Sequence, residues 1–145
     1  MRIVFDLDNT LTDESGSYLR PGAQSLLDSL KEDGHTLILW TNSIRIRTKD
    51  ILSGLDIAKY FTKVICREDY DPDSQDGWKD IRKVGGEVLI DDNPHQKEYG
   101  EKYGYKVYVV KPFTSSRPVK ASDFTALSDK LKPAPQGFFR RLFSQ

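Results

Sequence analysis

The sequence predicts an α/β fold: a three-layer sandwich around a mostly parallel central sheet of about five strands. Three observations predict it. Short apolar runs rich in Val and Ile alternate with stretches of helical periodicity, the order expected of right-handed strand–helix–strand units. The runs are mostly apolar on both faces rather than alternating with polar residues, as in strands covered on both faces. Three of the runs also end in polar groups capable of chemistry. Parallel strands bring such ends to one edge, where α/β sheets bind ligands.

The elements follow in chain order. Residues 2–5, Arg-Ile-Val-Phe, read as the first strand. Residues 12–18 are long enough only for a hairpin flap. Pro21 suits a first helical turn; Leu26, Leu27 and Leu30 supply an apolar stripe, and Gly34 ends it. Residues 36–40 are the second strand. A helix over 44–52 turns Ile44, Ile51 and Leu52 inward. Residues 63–66 are a third strand, and Trp78 to Val84 a short helix stopped by Gly85-Gly86. Residues 87–90 are the fourth strand. The helix over 94–103 has Asn93 placed to cap it and Gly104 to stop it. Residues 105–110 are the fifth strand, and a last helix over 122–131 carries Phe124, Leu127 and Leu131.

Length and composition bound the rest. At 145 residues the chain can bury a real core. We expect one domain over residues 1–132 and a basic, aromatic tail over 133–145, set off by Pro133-Ala134-Pro135. Hydrophobic residues are 37% and charged residues 30%, and mean hydropathy is −0.58, as in a soluble protein. No apolar run approaches the roughly 20 residues of a membrane span, and no leader pattern opens the chain, so the cytoplasm is the expected location. The single cysteine, Cys66, excludes an intrachain disulfide framework and a Cys-rich zinc site. Net charge is zero but uneven: residues 111–145 hold seven Lys+Arg and two Asp+Glu, leaving 15 and 20 to residues 1–110. The acidic part carries the aspartate pairs, which suits a cation site.

Those pairs are the informative feature. The first strand runs into Asp6-Leu7-Asp8-Asn9-Thr10, the second into Thr41-Asn42, and the fourth into Asp91-Asp92-Asn93-Pro94; Lys79 precedes the fourth. Two carboxylates so close repel each other and persist where a cation, a proton or a phosphate uses them. A divalent cation such as Mg2+ takes few protein carboxylates and recruits phosphate oxygens. Phosphate in turn wants hydroxyl and N–H donors and positive charge. A carboxylate can attack phosphorus to form an acyl-phosphate, and a second can move the proton. The pattern points to metal-assisted phosphoryl chemistry.

These residues resemble the haloacid dehalogenase (HAD) superfamily of phosphohydrolases, whose four motifs occur here in order: Asp6-Leu7-Asp8-Asn9-Thr10, Thr41, Lys79 and Asp91-Asp92. The resemblance spans roughly residues 1–110 and implies a Rossmann-like, HAD-like fold. It implies Asp6 as nucleophile and metal ligand. Asp8 is implied as proton shuttle, lending its backbone carbonyl to the metal. Thr41 and the Asn42 N–H are implied at the phosphoryl group, with Thr10 supporting the turn and counted to the phosphate side. Lys79 is implied as neutralising cation. Asp92 is implied as the direct Mg2+ ligand, with Asp91 beside it, and the order of those two stays open. Neither inter-motif gap can hold a cap domain. The stretch from Lys79 to Pro94 is similar to phosphoprotein phosphatases acting on the polymerase C-terminal domain, from which Asn9 departs where that subfamily has Glu.

Other features are read as structural. Lys63 is a rival for the lysine role, in a less suitable place. The loop from Asp69 to Asp80 lacks the glycine and glutamate of a calcium loop. Arg45 and Arg47 follow Thr41-Asn42 directly, in a place to face an anionic substrate, and Arg45 is counted to the substrate side; a solvated first helical turn is the plain alternative. Cys66 reads as packing. The expected activity is hydrolysis of a phosphomonoester, small molecule or phosphoprotein. The alternatives are a nucleic-acid-end phosphatase or phosphotransferase on the same chemistry, or a non-catalytic binding domain. The neutral charge argues mildly against nucleic acid.

Overall fold

The computed structural model describes residues 1–132; the expected tail, 133–145, lies outside the described residues. Five strands, β1 (Arg2–Phe5), β2 (Thr36–Trp40), β3 (Phe61–Ile65), β4 (Val88–Asp91) and β5 (Lys106–Val109), form one parallel sheet in the order β3-β2-β1-β4-β5. The helices are α1 (Ala23–Glu32), α2 (Arg45–Gly54), α3 (Arg67–Tyr70), α4 (Pro94–Tyr103), α5 (Ala121–Thr125) and α6 (Leu127–Lys130), with 3-10 turns over Ala58–Tyr60 and Ile81–Val84.

Alternation along the strands divides the core. Ile3, Phe5, Leu37, Leu39, Val88 and Ile90 face Ala23, Leu26, Leu27 and Leu30 of α1, Ile51 and Leu52 of α2, and Phe124, Leu127 and Leu131 beyond the sheet. Val4, Ile38, Trp40, Leu89 and Val107 face the other way, against Ile65 and Ile81. Side chains of successive strand residues point to opposite faces, so a run apolar at every position fills both layers. Burying a Leu or Ile side chain stabilises by about 1.5–3 kcal/mol, which makes the twin cores the main stabilising term.

Three expected elements differ. The helix over 78–84 is only the 3-10 turn Ile81–Val84. Residues before it are held by tertiary partners: Trp78 stacks on Tyr99 and Tyr103, and Gln96 takes the Lys79 N–H. Residues 67–70, the last two of them read as the start of an acidic loop, form the short helix α3, with the Asp69 side chain accepting the Cys66 N–H. The helix over 122–131 divides at Ala126 into α5 and α6 while keeping Phe124 and Leu127 buried.

Register positions the site. Phe5 pairs with Leu39 on one side and Ile90 on the other. The residues at or just past the strand ends, Asp6, Thr41 and Asp91, therefore gather at one edge of the sheet. β1 is also where strand order reverses, since β2 and β3 lie to one side and β4 and β5 to the other. Such a switch point opens a crevice at the carboxyl ends.

Candidate active site

An open cleft of about 790 Å³ lies at that crevice, lined among others by Asp6, Asp8, Lys79, Asp91 and Asp92. Lys79 reaches it from the segment before β4 and is buried. Its Nζ donates to Asp6 Oδ1 and Asp91 Oδ2, both at 2.7 Å. The second Asp6 oxygen accepts the Thr10 hydroxyl at 2.9 Å, and Thr10 Oγ1 lies 3.1 Å from Asp92 Oδ1. The second Asp91 oxygen accepts the Asn93 N–H at 2.9 Å. Asp6, Asp91 and Asp92 each offer a carboxylate oxygen within 4.8 Å of the others.

Three carboxylates around one ammonium leave the site short of positive charge, and the ionisation of its groups reflects this. Burial pushes Asp6 up to about 6 despite the lowering effect of Lys79. Burial and then the Asp6 charge push Asp91 to about 6 as well. Burial works to lower Lys79, but the two carboxylates outweigh it and hold the ammonium charged. A divalent cation fits this donor set and this deficit.

Asp8, more exposed than Asp6, is paired with Arg47 from α2: the guanidinium spans both carboxylate oxygens at 2.9 and 2.7 Å. Arg47 also donates to the Ser43 hydroxyl and to the Glu14 carbonyl. Thr41 and Asn42 line the cleft. The Thr41 hydroxyl accepts the Ser43 N–H at 3.0 Å, which leaves its own hydrogen to donate.

Two expected substrate contacts sit elsewhere. Thr10 is fully buried and spends its hydroxyl on Asp6 and Asp92; it orients carboxylates and does not line the cleft. Arg45 pairs with Asp69, and its N–H donates to Glu68. The reason is helical geometry: residues two apart point about 200° from each other, so Arg45 and Arg47 cannot share the cleft. Lys63 lies on exposed β3, away from the cleft. In the acidic loop, the Asp71 carboxylate is taken by the N–H groups of Gln75 and Gly77.

Sequence reasoning missed Arg67, which lines the cleft directly after β3. The strand-end rule that marks Asp6, Thr41 and Asp91 would have found it. It also missed the work of Asn9. This residue takes the left-handed conformation (φ 65°) and exchanges hydrogen bonds with Phe113, side chain to carbonyl and carbonyl to N–H. Asn tolerates that conformation better than most residues.

Residues 1–132 match the family described as NLI interacting factor-like phosphatase. The chain belongs to this family, and with it to the HAD superfamily of phosphatases. A phosphoglycolate phosphatase of Agrobacterium fabrum is 32% identical over 71 residues, covering 47% of this chain and 30% of that protein. The chain thus spans under a third of that relative. Among solved structures, D,D-heptose 1,7-bisphosphate phosphatase from B. bronchiseptica, complexed with magnesium and phosphate, superposes with a TM-score of 0.64 at 13% identity. That match covers 90% of this chain and 97% of the other. A hydrolase from Streptococcus pneumoniae TIGR4 gives 0.60 at 16% identity, covering 77% and 93%. At these identities the likeness is one of fold.

Proposed function

We propose that the chain is a Mg2+-dependent phosphomonoester hydrolase that works through a phosphoaspartate on Asp6. The observation that carries the reading is the setting of Asp6: a carboxylate at the end of β1, lining an open cleft, with Lys79 on one oxygen and Thr10 on the other. The family match and the magnesium and phosphate held by the heptose bisphosphate phosphatase support it.

The side chains divide the work. Asp6 and Asp92 would hold Mg2+, together with the Asp8 carbonyl. Asp91 is occupied by Lys79 and the Asn93 N–H and acts by keeping Lys79 in place. When bound, Mg2+ supplies Lewis-acid charge to the transferring phosphoryl group. Thr41 donates to a phosphoryl oxygen, and Lys79 neutralises developing charge. In the first half-reaction an Asp6 oxygen bonds to phosphorus, the ester P–O bond breaks, and protonated Asp8 gives its proton to the departing alkoxide. In the second, Asp8 takes a proton from water, the water oxygen bonds to phosphorus, and the acyl-phosphate P–O bond breaks. Inorganic phosphate and the Asp6 carboxylate result. The substrate is a phosphorylated small molecule or phosphoprotein.

Turnover of an aryl phosphate tests the reading. Activity should need Mg2+, be lost to chelator, and fall to background in Asp6→Asn. Activity that survives that substitution, or ignores chelator, overturns the mechanism.

A further inference from the structure

Resting on the hydrolase reading, we propose that Arg47 and Arg67 form a subsite for a second anionic group on the substrate, and that filling it draws Arg47 away from Asp8. Two observations carry this. First, Arg47 occupies both oxygens of the one carboxylate that must exchange protons with leaving group and water. Each Asp8 oxygen already accepts from Arg47 in that state, so an anion that takes Arg47 over leaves both oxygens unshared. The pair is partly exposed, with side chains 36% and 29% accessible, and an exposed ion pair is held weakly enough to be traded for another anion.

Second, the mouth carries another guanidinium. Arg67 donates Nε–H to the Asn42 carbonyl at 2.9 Å and belongs to none of the ion pairs found among the described residues. Both arginines are fastened to the loop that starts at Thr41: Arg47 by the Ser43 hydroxyl, Arg67 by its N–H on the Ser43 carbonyl at 3.1 Å. The loop that carries the Thr41 hydroxyl thus also holds two planar forks at the cleft. Such forks match carboxylate or phosphate oxygens in pairs. The acids of the cleft are Asp6, Asp8, Asp91 and Asp92, and its other lining side chains, such as Ile44 and Pro112, carry no negative charge. A substrate with a neutral leaving group offers Arg47 nothing in exchange for Asp8. One with a carboxylate or second phosphate near the ester does.

The experiment compares three matched esters: ethyl phosphate, phosphoglycolate and ethane-1,2-diyl bisphosphate. Wild type should show kcat/KM at least about tenfold higher for one or both of the charged esters than for ethyl phosphate, the order expected of a charge-assisted contact; which one leads identifies the anion. Arg47→Gln and Arg67→Gln should each bring the preference toward unity, mainly by raising KM for the charged esters. Arg47→Gln should also raise kcat on ethyl phosphate by freeing Asp8, whereas a merely structural Arg47 would lower kcat on all three alike. Equal kcat/KM for all three in wild type, or a preference kept in both variants, overturns the subsite. If none of the three is turned over, the hydrolase reading is decided separately by the aryl phosphate and fails only if that too is left intact. The subsite is then decided by calorimetric titration of wild type with phosphoglycolate and ethyl phosphate: tighter binding of phosphoglycolate that is lost in Arg47→Gln sustains it, and equal affinities overturn it.

Discussion

At the scale of single residues, Lys79 shows how little room the site leaves for exchange. A buried ammonium is stable only where carboxylates compensate its lost hydration, and here it has two. Its place before β4 singled it out in the sequence, and the structure puts it between Asp6 and Asp91. The arginines could not be separated that way: Arg45 and Arg47 have the same composition and neighbourhood in sequence, and only the helix phase parts them. Asp13 was not singled out at all, yet it ties the flap together, accepting from the Ser15 hydroxyl and the N–H groups of Ser17 and Tyr18. The next residue, Glu14, holds Ser115 through its side chain and Arg47 through its carbonyl. Burial alone would raise the Asp13 carboxyl, but these bonds together hold it below its ordinary 3.8. A depressed folded value adds stability that is fully present above the unfolded value and is lost as pH falls through the folded one. Asp13→Asn should therefore be less stable than wild type in urea at pH 7, with the gap closing as pH drops below the ordinary 3.8. A gap that is constant with pH would contradict this account.

At the scale of elements, β1, β2 and α4 were legible to the residue, because their apolar runs and caps are local. The structure starts β1 at Arg2, β2 at Thr36 and α4 at Pro94. Asn93 caps α4 by accepting the His95 N–H at 3.0 Å, and Gly104 ends it at φ 85°. The segment before β4 was not legible. Its conformation is imposed by partners elsewhere in the chain: Tyr105 takes the Trp78 indole N–H and donates to the Lys79 carbonyl. These contacts keep Lys79 out of a helix and aim it at Asp6. α4 also packs closely on β5. A Cβ on Gly100 would lie 2.6 Å from Val107 Cγ2 and 2.7 Å from the Tyr105 oxygen. Gly100→Ala should thus destabilise by about 1–3 kcal/mol through overpacking. Gly54→Ala at the end of α2, where nothing lies within 4 Å, should be neutral or stabilising by up to about 1 kcal/mol. Urea unfolding of the two variants checks the contrast, and equal effects would contradict it.

At the scale of the whole molecule, the active site exists only because five strand ends meet. The carboxylates there repel each other, so the folded chain should gain from a cation that the unfolded chain cannot gather. Mg2+ at about a hundredfold above its Kd should stabilise by about 2.7 kcal/mol, seen as a rise in Tm of several degrees. The rise should shrink in Asp92→Asn and should not need substrate; a Tm indifferent to Mg2+ in wild type would contradict the cation site. No helix among the described residues is long and apolar enough to cross a membrane. The sequence by itself determined the α/β class, the strand ends and the residue types gathered at them, because hydrophobic period and turn chemistry are local properties. Tertiary structure alone decided that Lys79 bridges Asp6 and Asp91, that Thr10 turns inward, and that Arg47 rather than Arg45 meets Asp8. Those outcomes depend on register, helix phase and burial, which arise only when distant segments are packed together.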